Sequence, residues 1–181
     1  MQPHHVTTRE ECLQWLVSRG ISCETREHAP LHTVEEAQAA RALWGPPWDL
    51  GGHCKNLFLK DKKGALFLVV TLEDRHLKLN QLGQPLGAAR LSFANPDLLW
   101  EVLGVRPGSV TPFALINDQP ARVTAVLDAP MLAHQRLHYH PLDNRATTAI
   151  SSDGLMALMR ETGHQPIIMD LAQAAASGHS A

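Results

Sequence analysis

A lysine and an asparagine stand together at the start of an apolar stretch of the sequence. Lys55 and Asn56 precede Leu57-Phe58-Leu59, and the stretch turns at Asp61-Lys62-Lys63-Gly64. A cation at the mouth of a strand can hold an anionic or ester-bearing ligand against a rigid wall. Because a lysine has a reference pKa near 10.4, Lys55 is better suited to binding an anion or stabilising developing charge than to acting as a general base.

A second candidate for chemistry is the loop from Gly108 to Pro112. Glycine lets the backbone approach a ligand closely, and proline keeps the turn stiff. The hydroxyl groups of Ser109 and Thr111 add possible contacts to a substrate. The alternative is a tight turn that only leads into a strand at residues 113–116.

Histidines and a cysteine raise two further possibilities. His134, His138 and His140 have the spacing H-x3-H-x-H, and in a strand the last two face the same side. A closed metal site usually needs four ligands and no acid or thiol stands beside these three, so we expect no metal and predict that His140 faces the pocket. Cys54 adjoins Lys55, and because neighbouring strand residues face opposite sides we expect only Lys55 to face the ligand.

Local signals predict the elements that position these residues. Helices are expected wherever a capping residue precedes helical spacing, which is after Thr8 to Gly20, after Thr33 to about Leu43, after Asn95 to Gly104, and from Ser151 to Gly163. The first of these helices is predicted to bury Leu13, Leu16 and Val17.

Strands are predicted from short apolar runs, at residues 56–60 and 65–71, which form a hairpin, and at 113–116, 122–128 and 136–140. Residues 44–53 contain two prolines and three glycines and are predicted to be an irregular loop. The mixture of adjoining strands and alternating helices predicts an α+β or mixed α/β fold. We expect one domain over residues 1–171, followed by a frayed tail at 172–181.

Composition restricts the class of protein. The chain has 181 residues, 44% hydrophobic and 19% charged, as expected for a soluble globular domain. The net charge of -2 argues against a broad nucleic-acid-binding surface, yet residues 53–90 carry seven Lys or Arg against three acids. This basic zone suits contact with one end of a nucleic acid or with a small anion, or else its charged hairpin tips keep edge strands soluble. Three cysteines without paired spacing and the lack of a long apolar stretch predict a reduced, cytoplasmic protein with no membrane contact.

The order of several segments carries a resemblance to a known family. These are Lys55-Asn56-Leu57-Phe58-Leu59, then Leu86-Gly87-Ala88 with Arg90-Leu91-Ser92-Phe93, then Leu103-Gly104-Val105 with Pro107 to Asp118, then His140-Pro141-Leu142 with Asn144, Thr147 and Thr148. In this order the chain resembles the YbaK/prolyl-tRNA synthetase editing-domain superfamily, and within it the freestanding alanyl-tRNA(Pro) deacylases. The similarity covers roughly residues 7–170.

The resemblance implies a compact mixed, barrel-like β-sheet flanked by helices. It also implies a hydrolase, free of metal and cofactor, that removes alanine wrongly attached to proline tRNA. Its partners would be the acceptor end of tRNA(Pro) and, further, prolyl-tRNA synthetase, with the chain acting as a monomer. Such correction is needed because a missing methylene or two gives the synthetase limited discrimination.

The resemblance also implies residue roles. Lys55 matches the family's essential lysine and is expected to anchor the terminal nucleotide, while the backbone at Gly108 and the substrate's own ribose hydroxyl orient the attacking water. The residues expected to bind substrate are Asn56, Ser109, Thr111, Pro112 and His140.

Alternatives remain at this level. The same fold accommodates Cys-tRNA or Ser-tRNA as substrate, since pocket volume and polarity decide the amino acid. A module that binds aminoacyl-tRNA or a nucleotide without hydrolysing it is a third interpretation. Trp44 and Trp48 either stack on the terminal adenine or serve in core packing.

Overall fold

The computed structural model describes residues 5–177. Helices and strands alternate irregularly along the chain, in the order α1 (Arg9–Ser18), β1 (Cys23–Glu27), α2 (Val34–Trp44), β2 (Gly52–Asp61), β3 (Leu66–Leu72), α3 (Leu79–Leu82), β4 (Leu91–Phe93), α4 (Pro96–Leu103), β5 (Val123–Asp128), β6 (Leu137–Tyr139), β7 (Ala146–Ile150), α5 (Ser152–Glu161), β8 (Ile167–Met169) and α6 (Leu171–Ser177). Two 3-10 helices lie at Pro112–Asn117 and Ala129–Ala133.

The helices begin where the sequence places their caps. At α1 the hydroxyl of Thr8 accepts from the amide of Glu11 at 3.2 Å, and the Glu11 carboxylate accepts from the amide of Thr8 at 2.8 Å. Thr33 and Glu36 form the same reciprocal pair at α2, and Asn95 caps α4. These bonds satisfy amides that a helix leaves without partners, which confirms the predicted starts.

The strands form one mixed sheet of eight, in the order β1-β7-β6-β2-β3-β5-β8, with β4 also paired to β2. One edge of β2 bonds to β3 over its length, while the other edge bonds to β6 at Gly52 and His53 and to β4 from Leu59 to Asp61. Between these two pairings, residues 54–58 have a strand partner only in β3. The sheet therefore has a gap beside Lys55 and Asn56.

Both faces of the sheet are buried. Along β3, Leu68 and Val70 join one core with α1, α4 and α5, while Phe67 and Val69 join a second core with Leu82 and Leu171. Alternate strand residues point to opposite faces, so a continuous apolar run is what a doubly covered strand requires. The sheet and its helices confirm the predicted mixed α/β class.

The predicted strand at residues 113–116 is wrong. This segment is the 3-10 helix Pro112–Asn117, and the hydroxyl of Thr111 accepts from the amide of Phe113 at 3.3 Å at its start. A short buried apolar run fits a strand and a helix equally well by pattern. Proline in the first turn and a threonine cap are the local signals that favour the helix.

Two smaller predictions also need correction. Val17 is 71% exposed, and the buried residues of α1 are Cys12 and Leu16. Residues 172–177, predicted to be frayed, belong to α6, whose Leu171 is fully buried, while residues 178–181 lie outside the described residues. None of the helices among residues 5–177 is long and apolar enough to cross a bilayer.

Candidate active site

The gap in the sheet opens onto a cavity of about 520 Å³. This volume lies within the range of about 300–1,000 Å³ that is usual for small-molecule sites. Its walls are the start of β2, the end of β6, one side of α2 and the loop that follows α4. Lys55, Asn56, Gly108 and His140 all line it, so the structure brings together four of the residues that the sequence selected.

Asn56 links the two main walls of the cavity. Its side-chain nitrogen donates to the carbonyl of Val110 at 3.0 Å, which ties β2 to the loop after α4. Its side-chain oxygen is buried and has no hydrogen-bond partner. An unpartnered buried acceptor is costly, and a donor on a bound ligand would relieve that cost.

The backbone conformation at position 108 requires glycine. Its φ of +89° is one that residues with a side chain rarely adopt, and no atom lies within 4 Å of where a Cβ would stand. The position therefore faces open space at the cavity wall. A ligand can approach its backbone closely.

The ammonium group of Lys55 is fixed by backbone carbonyls. It donates to the carbonyl of Glu73 at 3.3 Å and to the carbonyl of Arg75. An ammonium carries three protons, so one remains for a ligand. The side chain is thus oriented before any substrate binds.

Arg41 adds a second cation to the cavity wall. Its guanidinium forms a bidentate pair with the Glu73 carboxylate, at 2.5 and 3.3 Å, and both side chains are largely buried. The pair joins α2 to the turn after β3, so the helix that covers the cavity is tied to the residue that holds Lys55. Bidentate geometry makes such a pair strong and directional.

Two stacked histidines line the cavity beside Lys55. The rings of His53 and His138 lie 4.4 Å apart, because parallel pairing of β2 and β6 sets the residues side by side. Burial, reinforced for His53 by the nearby Arg41, lowers the pKa of each to about 4, so both are neutral at pH 7. Nε2 of His138 donates to the carbonyl of Leu50 at 2.7 Å, which leaves its Nδ1 as a buried acceptor without a partner.

The neutral His53–His138 pair predicts that acid lowers the stability of the folded protein. Unfolded histidines have a pKa near 6.5, so acidification adds protons to the unfolded chain first. The free energy of unfolding should therefore fall as the pH drops from about 6.5 toward 4. Urea unfolding of the wild type and of His53→Gln at pH 7.5, 6.0 and 5.0 measures this, and we expect a shallower fall in the variant.

The control for that experiment is His32→Gln, which removes an exposed histidine. It should keep the slope of the wild type. Equal slopes for the wild type and His53→Gln would contradict the assignment of the acid sensitivity to this pair.

His140 and the two tryptophans differ in what they offer a ligand. His140 lies in the cavity wall with its Nδ1 3.1 Å from the carbonyl of Ala146, and burial lowers its pKa. Trp44 also lines the cavity, with its ring 5.2 Å from that of His28. Trp48 is 6% exposed and packs against His138, so of the two only Trp44 is placed to meet a substrate.

Three residues predicted to bind substrate lie behind the cavity wall. Thr111 and Pro112 are buried, Ser109 is 8% exposed, and none of them lines the cavity. Thr111 instead caps the 3-10 helix through the amide of Phe113. The start of this helix turns Thr111 and Pro112 into the core, while in the loop before it Pro107, Gly108 and Val110 face the cavity.

Cys54 is the converse case, because the alternation of side chains along a strand predicted that it would face away from the ligand. It lines the cavity together with Lys55, because the gap in the sheet exposes the edge of β2 as well as its face. Burial raises the pKa of its thiol to about 12. The thiol is therefore protonated at neutral pH and is no nucleophile.

Sequence reasoning missed Arg41, Glu73 and His53. Each reaches the cavity through pairing between distant parts of the chain, and no local spacing identifies them. His138 was identified by its spacing, and it lines the cavity together with His140. Among residues 5–177 no three His, Cys, Asp or Glu side chains come together as metal ligands do. His138 and His140 bond to backbone carbonyls instead.

Comparison with known proteins places this chain in a family. Residues 28–158 match the model of the aminoacyl-tRNA editing domain, and this range includes β2, the loop after α4 and β6. The chain belongs to the aminoacyl-tRNA editing domain family, of the YbaK and ProX type.

Named relatives specify the resemblance further. The chain is 40% identical to the "Prolyl-tRNA synthetase associated domain-containing protein 1" of Danio rerio, over 91% of this chain and 88% of the relative. It is 34% identical to the "Prolyl-tRNA editing protein ProX" of Acetoanaerobium sticklandii, over 76% and 82%. A crystal structure provisionally described as a trans-editing enzyme for prolyl tRNA synthetase shares the fold, with a TM-score of 0.66 and 23% identity over 91% and 98%.

Proposed function

We propose that this protein hydrolyses the ester that links alanine to the terminal ribose of mischarged tRNA(Pro). The observation that carries the proposal is that Lys55, Asn56 and Gly108 share one cavity in a chain of the editing-domain family. Relatives named for prolyl-tRNA synthetase or for prolyl-tRNA editing support proline tRNA as the carrier.

The reaction needs a water molecule and stabilisation of charge. Water adds to the ester carbonyl to give an anionic tetrahedral intermediate, which breaks down to free alanine and the ribose hydroxyl, with the proton of the water passing to the leaving oxygen. The backbone at Gly108 and the neighbouring ribose hydroxyl of the substrate orient the water. The remaining proton of Lys55 anchors the terminal nucleotide, and its fixed charge requires no reorganisation during the reaction.

Two acceptors on residues that line the cavity complement the amino group of the substrate. Asn56 Oδ1 and His138 Nδ1 are buried and without partners. An aminoacyl ester brings an α-ammonium with three donors. A small rotation of either side chain toward the cavity would pair these groups, hold the amino acid and remove the cost of the empty acceptor.

The same acceptors make Ser-tRNA the second candidate. A serine hydroxyl brings one more donor for these acceptors, and a site built to bond a hydroxyl rejects analogues that lack it by large factors. Alanine remains the first choice because the family resemblance indicates it, and because its methyl group needs no hydrogen-bond partner in the cavity.

A panel of charged tRNAs tests the proposal. The release of amino acid from Ala-, Ser-, Cys- and Pro-tRNA(Pro) is followed with radiolabelled amino acids under single-turnover conditions. We expect Ala-tRNA(Pro) to be hydrolysed fastest and Pro-tRNA(Pro) to be spared. Since a methylene in a pocket is worth about 10- to 200-fold, the preference over proline should be at least of that order.

The other outcomes are informative. Faster release from Ser- or Cys-tRNA(Pro) would overturn alanine as the substrate while keeping the reaction. Saturable binding of all four with no ester loss would overturn the reaction and indicate a binding module.

A further inference from the structure

The position of Lys55 is set by backbone groups of a neighbouring turn. Its ammonium donates to the carbonyls of Glu73 and Arg75, which lie in the turn after β3 and not in a regular element. The amide of Glu73 donates to the carbonyl of His53 at 2.8 Å and the amide of Arg75 donates to the carbonyl of Leu72 at 3.1 Å, so the backbone of the turn is tied to β2 and β3. The side chains of Glu73 and Arg75 add the remaining contacts that fix the turn and, through its carbonyls, Lys55.

Each of these two side chains is held by an ion pair. Glu73 is held by Arg41, as described above. The Arg75 guanidinium donates from Nε to Asp128 at 3.0 Å and from Nη2 to Asp170 at 2.6 Å. It is only 25% exposed, which limits screening by solvent.

Asp128 is the fixed point of this arrangement. Its carboxylate is fully buried and also accepts from the hydroxyl of Thr71 at 2.6 Å and from the amide of Leu171 at 3.0 Å. A buried carboxylate with every bond made is rigid, and it transmits its position to Arg75. Thr71 lies directly opposite Lys55 in the β2–β3 register, so the network returns to the strand that carries the lysine.

Asp170 connects the end of the chain to the same network. Besides Arg75, it accepts from the amides of Ala172 and Gln173 at 3.1 and 3.2 Å, at the start of α6. Asp170 does not line the cavity, and neither does Asp128. Both reach the carbonyl that holds Lys55 through Arg75, and Asp128 also bonds Thr71, the strand partner of Lys55.

We propose that Arg75, Asp128 and Asp170 are positioning residues for Lys55, which they orient through the carbonyl of Arg75. The inference rests on the proposed function for its kinetic consequence. A displacement of about 1 Å by a distant substitution can cost about a hundredfold in rate. Loss of one ion pair should therefore lower kcat without changing any group that touches the substrate.

Asp170→Asn is the substitution that tests this, because asparagine keeps the shape and an oxygen for the amides of α6 but removes the charge that holds Arg75. The first measurement is the exchange of the Lys55 ammonium protons by NMR with ¹⁵N-labelled lysine. We expect slow exchange in the wild type, faster exchange in Asp170→Asn and recovery in Asp170→Glu. This readout needs no activity, so it separates the inference from the proposed function.

The second measurement is kcat for Ala-tRNA(Pro) in a double-mutant cycle. We expect Asp170→Asn to lower kcat by up to about a hundredfold in the wild type and to have no further effect in Lys55→Ala. Glu161→Gln is the matched control, because it neutralises a carboxylate paired with Arg19 at the surface, and it should change neither readout.

Two results would overturn the proposal. Unchanged Lys55 exchange in Asp170→Asn would show that the pair does not hold the lysine. An equal loss of kcat with and without Lys55 would show that Asp170 acts by another route. If the wild type hydrolyses no charged tRNA, the proposed function fails, and the exchange measurement still decides the inference.

Discussion

Lys55→Ala is expected to lower kcat/KM for Ala-tRNA(Pro) by about two to three powers of ten. The substitution removes a charge that two backbone carbonyls already hold in place at the cavity wall. Such a group needs no reorganisation to hold the terminal nucleotide during the reaction, so its loss should be felt fully in kcat/KM. The expected loss corresponds to about 2.7–4 kcal/mol.

The measurement is single-turnover deacylation by purified wild type and variant. Lys62→Ala is the control, because it removes a cation from the exposed hairpin tip and leaves the cavity untouched. Circular dichroism should show both variants folded. A Lys55→Ala rate equal to that of the wild type would end the assignment of any role to this lysine.

Lys55→Arg extends the argument from charge to shape. Arginine keeps the positive charge, but its planar fork cannot occupy the place of a compact ammonium between two carbonyls. We therefore expect the rate of this variant to resemble that of alanine more than that of lysine. Recovery to wild-type rate would mean that charge alone matters.

The sequence predicts elements well where a side chain bonds to nearby backbone. Thr8, Thr33 and Asn95 each cap a helix within three residues, and the structure shows every one of these bonds. The hairpin turn behaves in the same way, since the Asp61 carboxylate accepts from the amides of Lys63 and Ala65. Local chemistry of this kind does not depend on the rest of the fold.

Prediction from sequence fails where the surrounding structure determines the conformation or the burial of a residue. Residues 113–116 are apolar and fully covered, and a covered segment carries no periodicity that separates strand from helix. Val17 has the spacing of a buried residue, yet the core contacts a different face of the helix, the one that carries Cys12 and Leu16. In both cases the missing information is which neighbour covers the segment.

The candidate site likewise contains residues that the sequence identifies and residues that only the folded structure brings together. Lys55, Asn56, Gly108 and His140 could be selected because family segments contain them in order. The residues behind Lys55 could not be selected, since Arg75 meets Asp128 and Asp170 only after β3, β5 and the segment before α6 have assembled. A single sequence contains these residues but not their register.

Asp118→Ala is expected to lower the free energy of unfolding by about 3–5 kcal/mol. The carboxylate is 1% exposed, lies 3.0 Å from Nε2 of His164, and accepts from the amides of Arg122 and Val123 at 3.1 and 2.8 Å. Alanine would leave two amides and an imidazole buried without their acceptor, which is the costly way to break such a pair. This pair lies outside the cavity, so the effect should appear in stability.

Urea unfolding at pH 7 measures the loss, with Glu101→Ala as the matched control. Glu101 pairs with Arg122 at 2.9 Å, but both side chains are about half exposed, so its removal should cost less than about 1 kcal/mol. Burial raises the pKa of Asp118, but the bonds from His164, Val123 and Arg122 outweigh it and hold the pKa below its usual value.

The lowered pKa of Asp118 determines how the difference in stability between the wild type and Asp118→Ala depends on pH. A carboxyl whose pKa is lower in the folded state stabilises the fold above its unfolded pKa of about 3.9, and this contribution is lost as the pH falls through the folded value. The stability gap between the wild type and Asp118→Ala should therefore narrow in acid. A gap that stays constant down to pH 3, or a loss no larger than that of Glu101→Ala, would mean that the buried carboxylate is not ionised as its three bonds require.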